Sequence, residues 1–367
     1  MRNSTGIKRF SQTQIGNDPD RRKSEMRKQR RFLGLIISIH LLLLSASFGS
    51  LSATEIWIAP QASVPPSPLH RAVDFLDMFD ADAPWRKAAQ AVTVFQLYGS
   101  YLEHAPQDQV DKIVKNLNER HIAIAVEAGV MNSPERINPA CGGPAVEGYS
   151  TTARAKLISK KIKSAGGSIA YIAMDEPLWF GRYYKGRPGK QPGCRLPVEQ
   201  VIDLVMPVLQ AYREAFPAVR IGDIEPSGVA YQPEWQEELR QWLGGLHDRL
   251  GSSLAFMHLD VPFAAGPQQV TAARRFFHQL EVLRAENLIG DIGIIYNGMA
   301  KDRTDKDWID SAKSHIRLFE QEYKFRPQQA IIQSWTLRPT HAMPETNPES
   351  LTGLVLYYAK QSRPGAK

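Results

Sequence analysis

Eight short apolar runs recur along the chain at intervals of roughly thirty to fifty residues, each of strand rather than helix length. They fall at 55–59, 92–97, 122–126, 169–174, 219–224, 254–259, 292–296 and 330–335. Between them the apolar positions adopt a helical period. Val110, Ile113, Val114 and Leu117 share one face, as do Val201, Leu204, Val205 and Val208, with Pro207 placed to kink that helix. Val270, Phe276, Phe277, Leu280 and Leu283 mark another face. Ser150 is positioned to cap a helix that runs to Gly166-Gly167, and Asn347-Pro348 reads as an N-cap with proline at N1 of the last helix. Strands alternating with helices predict an α/β domain on a parallel sheet. No glycine-rich phosphate loop follows the first strand, which favours a closed (β/α)8 barrel over a dinucleotide-binding fold. The expected domain is 54–367, with residues 60–68 as a structured loop after the first strand.

The pattern differs before residue 54. Residues 1–31 hold ten Lys/Arg and three acids, a net charge of +7, and the whole chain is also +7, so residues 32–367 are neutral. The basic character belongs to the tail, which removes the main support for nucleic-acid binding by the domain. Residues 32–44 are almost wholly apolar and 45–53 are rich in small residues. A basic end, an apolar core and a small-residue region describe a signal peptide, and thirteen residues are short of the ~20 that a spanning helix needs. The basic stretch is long for a signal. Either the chain starts at Met26, leaving 1–25 as a misannotated extension, or 32–44 stays uncleaved as an inner-membrane anchor with 1–31 as a cytoplasmic tail. Both readings export the domain to the periplasm or beyond.

Export gives meaning to Cys141 and Cys194, the only two cysteines. An even pair in an oxidising compartment predicts a disulfide, closing a loop of about fifty residues worth ~4 kcal/mol in the chain-entropy model.

Candidate chemistry sits where the strands end. In a parallel barrel the C-terminal strand ends form the active-site face. The third run ends at Glu127, the fourth at Asp175-Glu176-Pro177, the fifth at Asp223 and Glu225, the sixth at His258 and Asp260. One such carboxylate is as readily a helix cap or a loop ion pair; four successive strands ending this way point to acid–base work. Aromatics fall on the same rim: Tyr98 and Tyr101, then Trp179, Phe180, Tyr183 and Tyr184, then Tyr296 beside Asn297, and Trp335. Sugar rings stack on such faces and bond to carboxylates, although Tyr296 and Trp335 are equally suited to the core. The expected substrate-binding set is Tyr98, Trp179, His258, Tyr296, Asn297 and Trp335.

The order of elements together with Asp175-Glu176-Pro177 resembles the TIM-barrel glycoside hydrolase superfamily, whose retaining members carry Asn-Glu-Pro after the fourth strand. The resemblance spans about residues 54–360 in architecture. It implies Glu176 as acid/base and Trp335 as a sugar platform. The chain departs from the family after the seventh strand, where Tyr296-Asn297-Gly298 stands in place of the nucleophilic Glu. Three readings follow. In the first, Glu176 donates the proton and Glu225 or Asp260 is base or nucleophile, with Asp175 and Glu127 in support. In the second, Glu127, Asp175, Glu225, His258 and Asp260 hold a divalent metal. In the third, the barrel binds glycans without cutting them. No Gly-x-Ser-x-Gly elbow is present and no cofactor signature appears, so the expected partner is a poly- or oligosaccharide, without cofactor or nucleic acid. Nothing in the pattern specifies an oligomeric state.

Overall fold

The computed structural model describes residues 54–62, 72–133 and 141–362. The basic tail, the apolar segment 32–53 with its export and anchor readings, and residues 63–68 of the expected loop lie outside them. Among the described residues no helix is long and apolar enough to cross a membrane.

The eight runs form eight strands: β1 Glu55–Ala59, β2 Val92–Tyr98, β3 Ala123–Ala128, β4 Ile169–Asp175, β5 Arg220–Pro226, β6 Leu254–Asp260, β7 Ile289–Tyr296 and β8 Gln329–Gln333. Each pairs in parallel with the next, and β8 pairs with β1 to close the barrel. The helices are α1 Arg86–Ala91, α2 Gly99–His104, α3 Gln107–Glu119, α4 Thr152–Ser164, α5 Val198–Ala215, α6 Trp235–Leu250, α7 Pro267–Ala285, α8 Asp305–Ile316 and α9 Leu351–Gln361. This is a (β/α)8 barrel. Two helix starts differ from expectation. Thr151 rather than Ser150 caps α4, accepting from the Arg154 N–H. Ser350 rather than Asn347 caps α9, and Asn347 instead turns the chain just before it by accepting from Glu349 N–H at 3.0 Å. Helix α5 continues through Pro207.

Successive strand side chains point to opposite faces, so the barrel separates two cores. Trp57, Val94, Ala125, Tyr171, Ala173, Ile224, Phe256, Ile295 and Ile331 fill the interior. The larger core lies between strands and helices and takes the alternate positions, among them Ile221, Met257 and Leu259. Trp57 anchors the interior, with ring centroids 4.9 Å from Tyr171, 5.2 Å from Phe256 and 4.9 Å from His258. Gly222 makes room for Phe256, because a Cβ there would sit 2.3 Å from its ring. At the N-terminal end polar groups close the barrel: Gln329 Nε2 donates to Glu55 at 3.2 Å and to Asp291 at 3.3 Å, and Arg220 lies over the Tyr171 ring.

Cys141 and Cys194 are bonded, with Cα atoms 4.9 Å apart and a sequence separation of 53. They join the loop after β3 to the loop after β4. Bonds of this kind persist in oxidising, exported environments.

Two outcomes are expected. Trp57→Ala leaves a void that the closed barrel cannot collapse around and should cost about 3–5 kcal/mol in urea unfolding; a loss under about 1 kcal/mol would show that the barrel interior repacks. Thiol labelling of the native, unreduced protein should modify neither cysteine, and stoichiometric labelling of both would contradict the bond.

Candidate functional site

The pleat sorts the strand-end carboxylates. On β6, Phe256 faces the interior, so His258 and Asp260 do too. On β5, Ile224 faces the interior and Ile221 the helices, which turns Asp223 and Glu225 outward. Asp223 accepts from the Trp242 indole of α6 at 2.8 Å. Glu225 is fully buried, and its two oxygens accept from the Leu178 and Trp179 backbone N–H groups at 2.7 and 3.0 Å. Glu225, expected as base or nucleophile, is therefore turned away from the barrel interior and braces the loop after β4. Burial pushes its pKa up and the two N–H groups oppose this.

Two other expected residues lie away from the rim. Tyr296 points outward and is fully buried; its hydroxyl donates to Glu320 at 2.6 Å, beside Tyr358, which donates to the same oxygen at 2.8 Å. His258 is inward but sunk below the mouth, stacked on Phe256 with centroids 4.1 Å apart and with Nε2 2.8 Å from Gln329 Oε1. Burial lowers its pKa to about 3, so it is neutral. With Glu225 turned away and His258 sunk, no three His, Cys, Asp or Glu groups among the described residues are arranged to hold a metal ion.

Four carboxylates remain at the mouth: Glu127 on β3, Asp175 on β4, Glu176 just beyond it and Asp260 on β6. Glu127 Oε2 accepts from Gln96 Nε2 at 2.5 Å and from Gln333 Nε2 at 2.7 Å. Gln333 also donates to the Tyr98 hydroxyl at 3.2 Å, and Tyr98 donates to Ser334 O at 2.8 Å. Asp260 Oδ1 is shielded from solvent and has no hydrogen-bond partner. Glu176 adopts a φ of +50°, a left-handed conformation that costs a non-glycine residue about 1–2 kcal/mol. Its N–H donates to Ile224 O at 3.1 Å and its carbonyl accepts from Phe180 N–H at 2.9 Å, which hold it in that conformation. Strain retained against its cost is a mark of functional positions.

Asn297 follows β7 in the inward register; its amide oxygen accepts from the Trp335 indole at 3.0 Å and its nitrogen donates to Gly298 O at 3.1 Å. Trp335 is 39% exposed, a rim residue rather than a core plug. Trp179 is half-buried and packs over Gly228, where a Cβ would lie 3.2 Å from its ring.

Crowding sets the electrostatics. Burial, then its carboxylate neighbours, raise Asp175 and Glu176 well above the ordinary range; for Glu176 the first neighbour is Asp260. Burial raises Asp260 to about 6, with the Val261 N–H and the Asn297 amide pulling it down. Burial raises Glu127 to about 8 against the hydrogen bonds of Gln333 and Gln96. Glu147, in the loop after β3, adds to the rise at all four groups.

A cavity of about 220 Å³ opens beside these groups, lined by Tyr98, Glu127, Glu147, Tyr149 and Asp175. A larger hollow of about 450 Å³ lies at the N-terminal end beside Arg284, Asp291 and Gln328, away from the carboxylates. Sequence reasoning missed Gln96, Gln333 and Glu147. The two glutamines had a signal, being polar residues inside apolar runs; Glu147 lies in a loop with no periodic signal.

No protein-family model and no curated protein matches the chain. Among solved structures it is similar to the GH53 catalytic domain of Ignisphaera aggregans, at 10% identity over 78% of this chain and 86% of that one, TM-score 0.43. It is also similar to a glucosidase from Croceicoccus marinus, at 12% identity over 86% and 69%, TM-score 0.46. Morphinone reductase matches at 14% identity over 76% and 81%, TM-score 0.43. A likeness at this level, shared by hydrolases and a reductase, is one of barrel architecture alone.

The raised carboxylates carry a stability consequence. An unfolded Glu titrates near ~4.3, and Glu127 in the fold near about 8. Its contribution is fully present below the unfolded value and is lost as pH rises through the folded one, because in between only the native state keeps the proton. Glu127→Gln can keep both amide bonds through one oxygen and removes the titration. Its melting temperature relative to wild type should therefore rise steadily from about pH 5 to about pH 8. A difference that stays flat across that window would contradict the raised pKa.

Proposed function

We propose that this protein is a glycoside hydrolase-like barrel acting on a poly- or oligosaccharide, with Glu176 as general acid and Asp260 as its partner carboxylate. The observation that carries the reading is Glu176 itself: a strained carboxyl at the mouth of the barrel, raised by burial and by Asp260. A carboxyl raised in this way keeps its proton to higher pH than an ordinary Glu and can donate it to a leaving glycosidic oxygen. Asp260, with a pKa of about 6, one unpartnered oxygen and the Asn297 amide beside it, is suited to act ionised as base or nucleophile. Asp175, like Asp260, adds to the rise at Glu176 and so supports its protonation. Trp335, Trp179 and Tyr98 supply aromatic surface for sugar faces.

A second reading, glycan binding without cleavage, draws on Asn297. It puts an amide where retaining members of the resembled superfamily have their nucleophile, which leaves Asp260, among the described residues, as the inward acid at the C-terminal ends of β5 to β8.

Glu176→Gln keeps shape and removes the transferable proton. On a natural glycan it should lower turnover by about two to four orders of magnitude while binding stays nearly intact. Equal turnover by the two proteins would rule out the acid role, and binding by both with turnover by neither would establish the second reading.

A further inference from the structure

The loop after β3 carries a carboxylate that the proposed chemistry does not use. Residues 141–150 return to the barrel mouth and are fastened there by several independent ties. Cys141 is bonded to Cys194 in the loop after β4. The Gly142 N–H donates to Pro192 O at 2.7 Å, from the same segment as Cys194. Tyr149 and Ser150 pair with Met131 and Asn132 as a short parallel ribbon. The Val130 and Met131 N–H groups both donate to Gly148 O, at 2.8 and 2.9 Å. Gly148 has a φ of +83° and lies so near β4 that a Cβ would stand 3.0 Å from the Asp175 carbonyl oxygen. No other residue type fits that approach without strain. The residue before it, Glu147, is thus fixed next to a backbone contact with the end of β4. Glu147, itself exposed, lines the cavity shared with Tyr98, Glu127 and Asp175.

We propose that Glu147 is a working member of this site, a third carboxylate lining the cavity beside Glu127 and Asp175, and that the Cys141–Cys194 bond keeps it there. The placement rests on the loop geometry; its use in turnover rests on the glycan reading. The groups that face Glu147 come from every element around the cavity. Glu127 of β3, Asp175 and Glu176 at the end of β4, and Asp260 of β6 feel its charge. Arg187, from the loop after β4, opposes it. Arg154 of α4 lines the same cavity but is paired with Glu103 at 2.8 Å. Tyr98 and Tyr149 add hydroxyls. Although solvent reaches the residue, burial of its carboxyl raises Glu147 as well. Glu147 therefore acts as a positioning residue for charge: it favours the protonated form of each neighbour. Reducing the disulfide removes a covalent tie of the loop and should let that charge withdraw.

The test is a carbon-13 NMR titration of the Asp and Glu carboxyls on the full-length protein. It compares wild type, Glu147→Gln, Glu147→Asp, and both wild type and Glu147→Gln after reduction by a phosphine. Glu147→Gln leaves the loop and its disulfide intact and reads the charge alone. It should lower the Glu127 and Asp260 midpoints by about half a pH unit or more, with Glu147→Asp restoring most of the shift. Reduction of wild type should move the midpoints in the same direction, and reduction of Glu147→Gln should move them little further. Unchanged midpoints in Glu147→Gln would overturn the placement of Glu147. Midpoints that ignore reduction would overturn the role of the disulfide. These readouts need no substrate, so shifted midpoints in a protein that turns over no glycan would leave this inference standing and the glycosidase reading fallen.

Discussion

The structure depends on the pleat of eight parallel strands closed on themselves. Closure gives every strand residue one of two destinations, the barrel interior or the layer beneath the helices. The consequences reach the chemistry directly. Asp260 and Glu225 both end a strand, yet one faces the barrel interior and the other holds up a loop, because their strands present opposite registers there. His258 shares the face of Asp260 but lies one layer lower, where Trp57, Phe256 and Gln329 enclose it. It joins the interior packing instead of the rim.

The second organising fact is the concentration of acid at the mouth. Gathering Glu127, Glu147, Asp175, Glu176 and Asp260 where water is partly excluded works against folding, since each ionised carboxylate raises the cost of the next. The fold meets that cost locally. Gln96 and Gln333 bond Glu127, Val261 N–H and Asn297 relieve Asp260, and Arg187 faces Glu147. Asp175 and Glu176 have no such relief, and Glu176 is also the one of the five in a left-handed backbone conformation. The environments are thus graded from one carboxylate to the next. Such grading separates an acid from a base at one pH.

Much of the fold was legible because strand length and helical period are local signals. All eight apolar runs became strands, with shifts at their ends such as the start of β7 at Ile289. Helix caps were less legible: Ser150 and Thr151 are both good caps, and only backbone geometry selects Thr151. The site was legible in composition but not in direction. A carboxylate at a strand end is visible in sequence, whereas its face follows from the alternation of the whole strand. Counting from Ile221 and Ile224 would have turned Glu225 outward. Tyr296, the last residue of a run that serves both cores, gave no comparable count. Glu147 was invisible because a disulfide and two glycines, not a periodic element, bring it to the rim.

In the proposed reading Glu176 is the proton donor, and leaving-group dependence tests that role most directly. Across a series of aryl glycosides of falling leaving-group acidity, wild type should show a shallow decline in kcat/KM. Glu176→Gln should show a steep decline, meeting wild type at the most activated member, which needs little protonation. Parallel lines for the two proteins would contradict the account, since the missing proton would then have no bearing on bond cleavage.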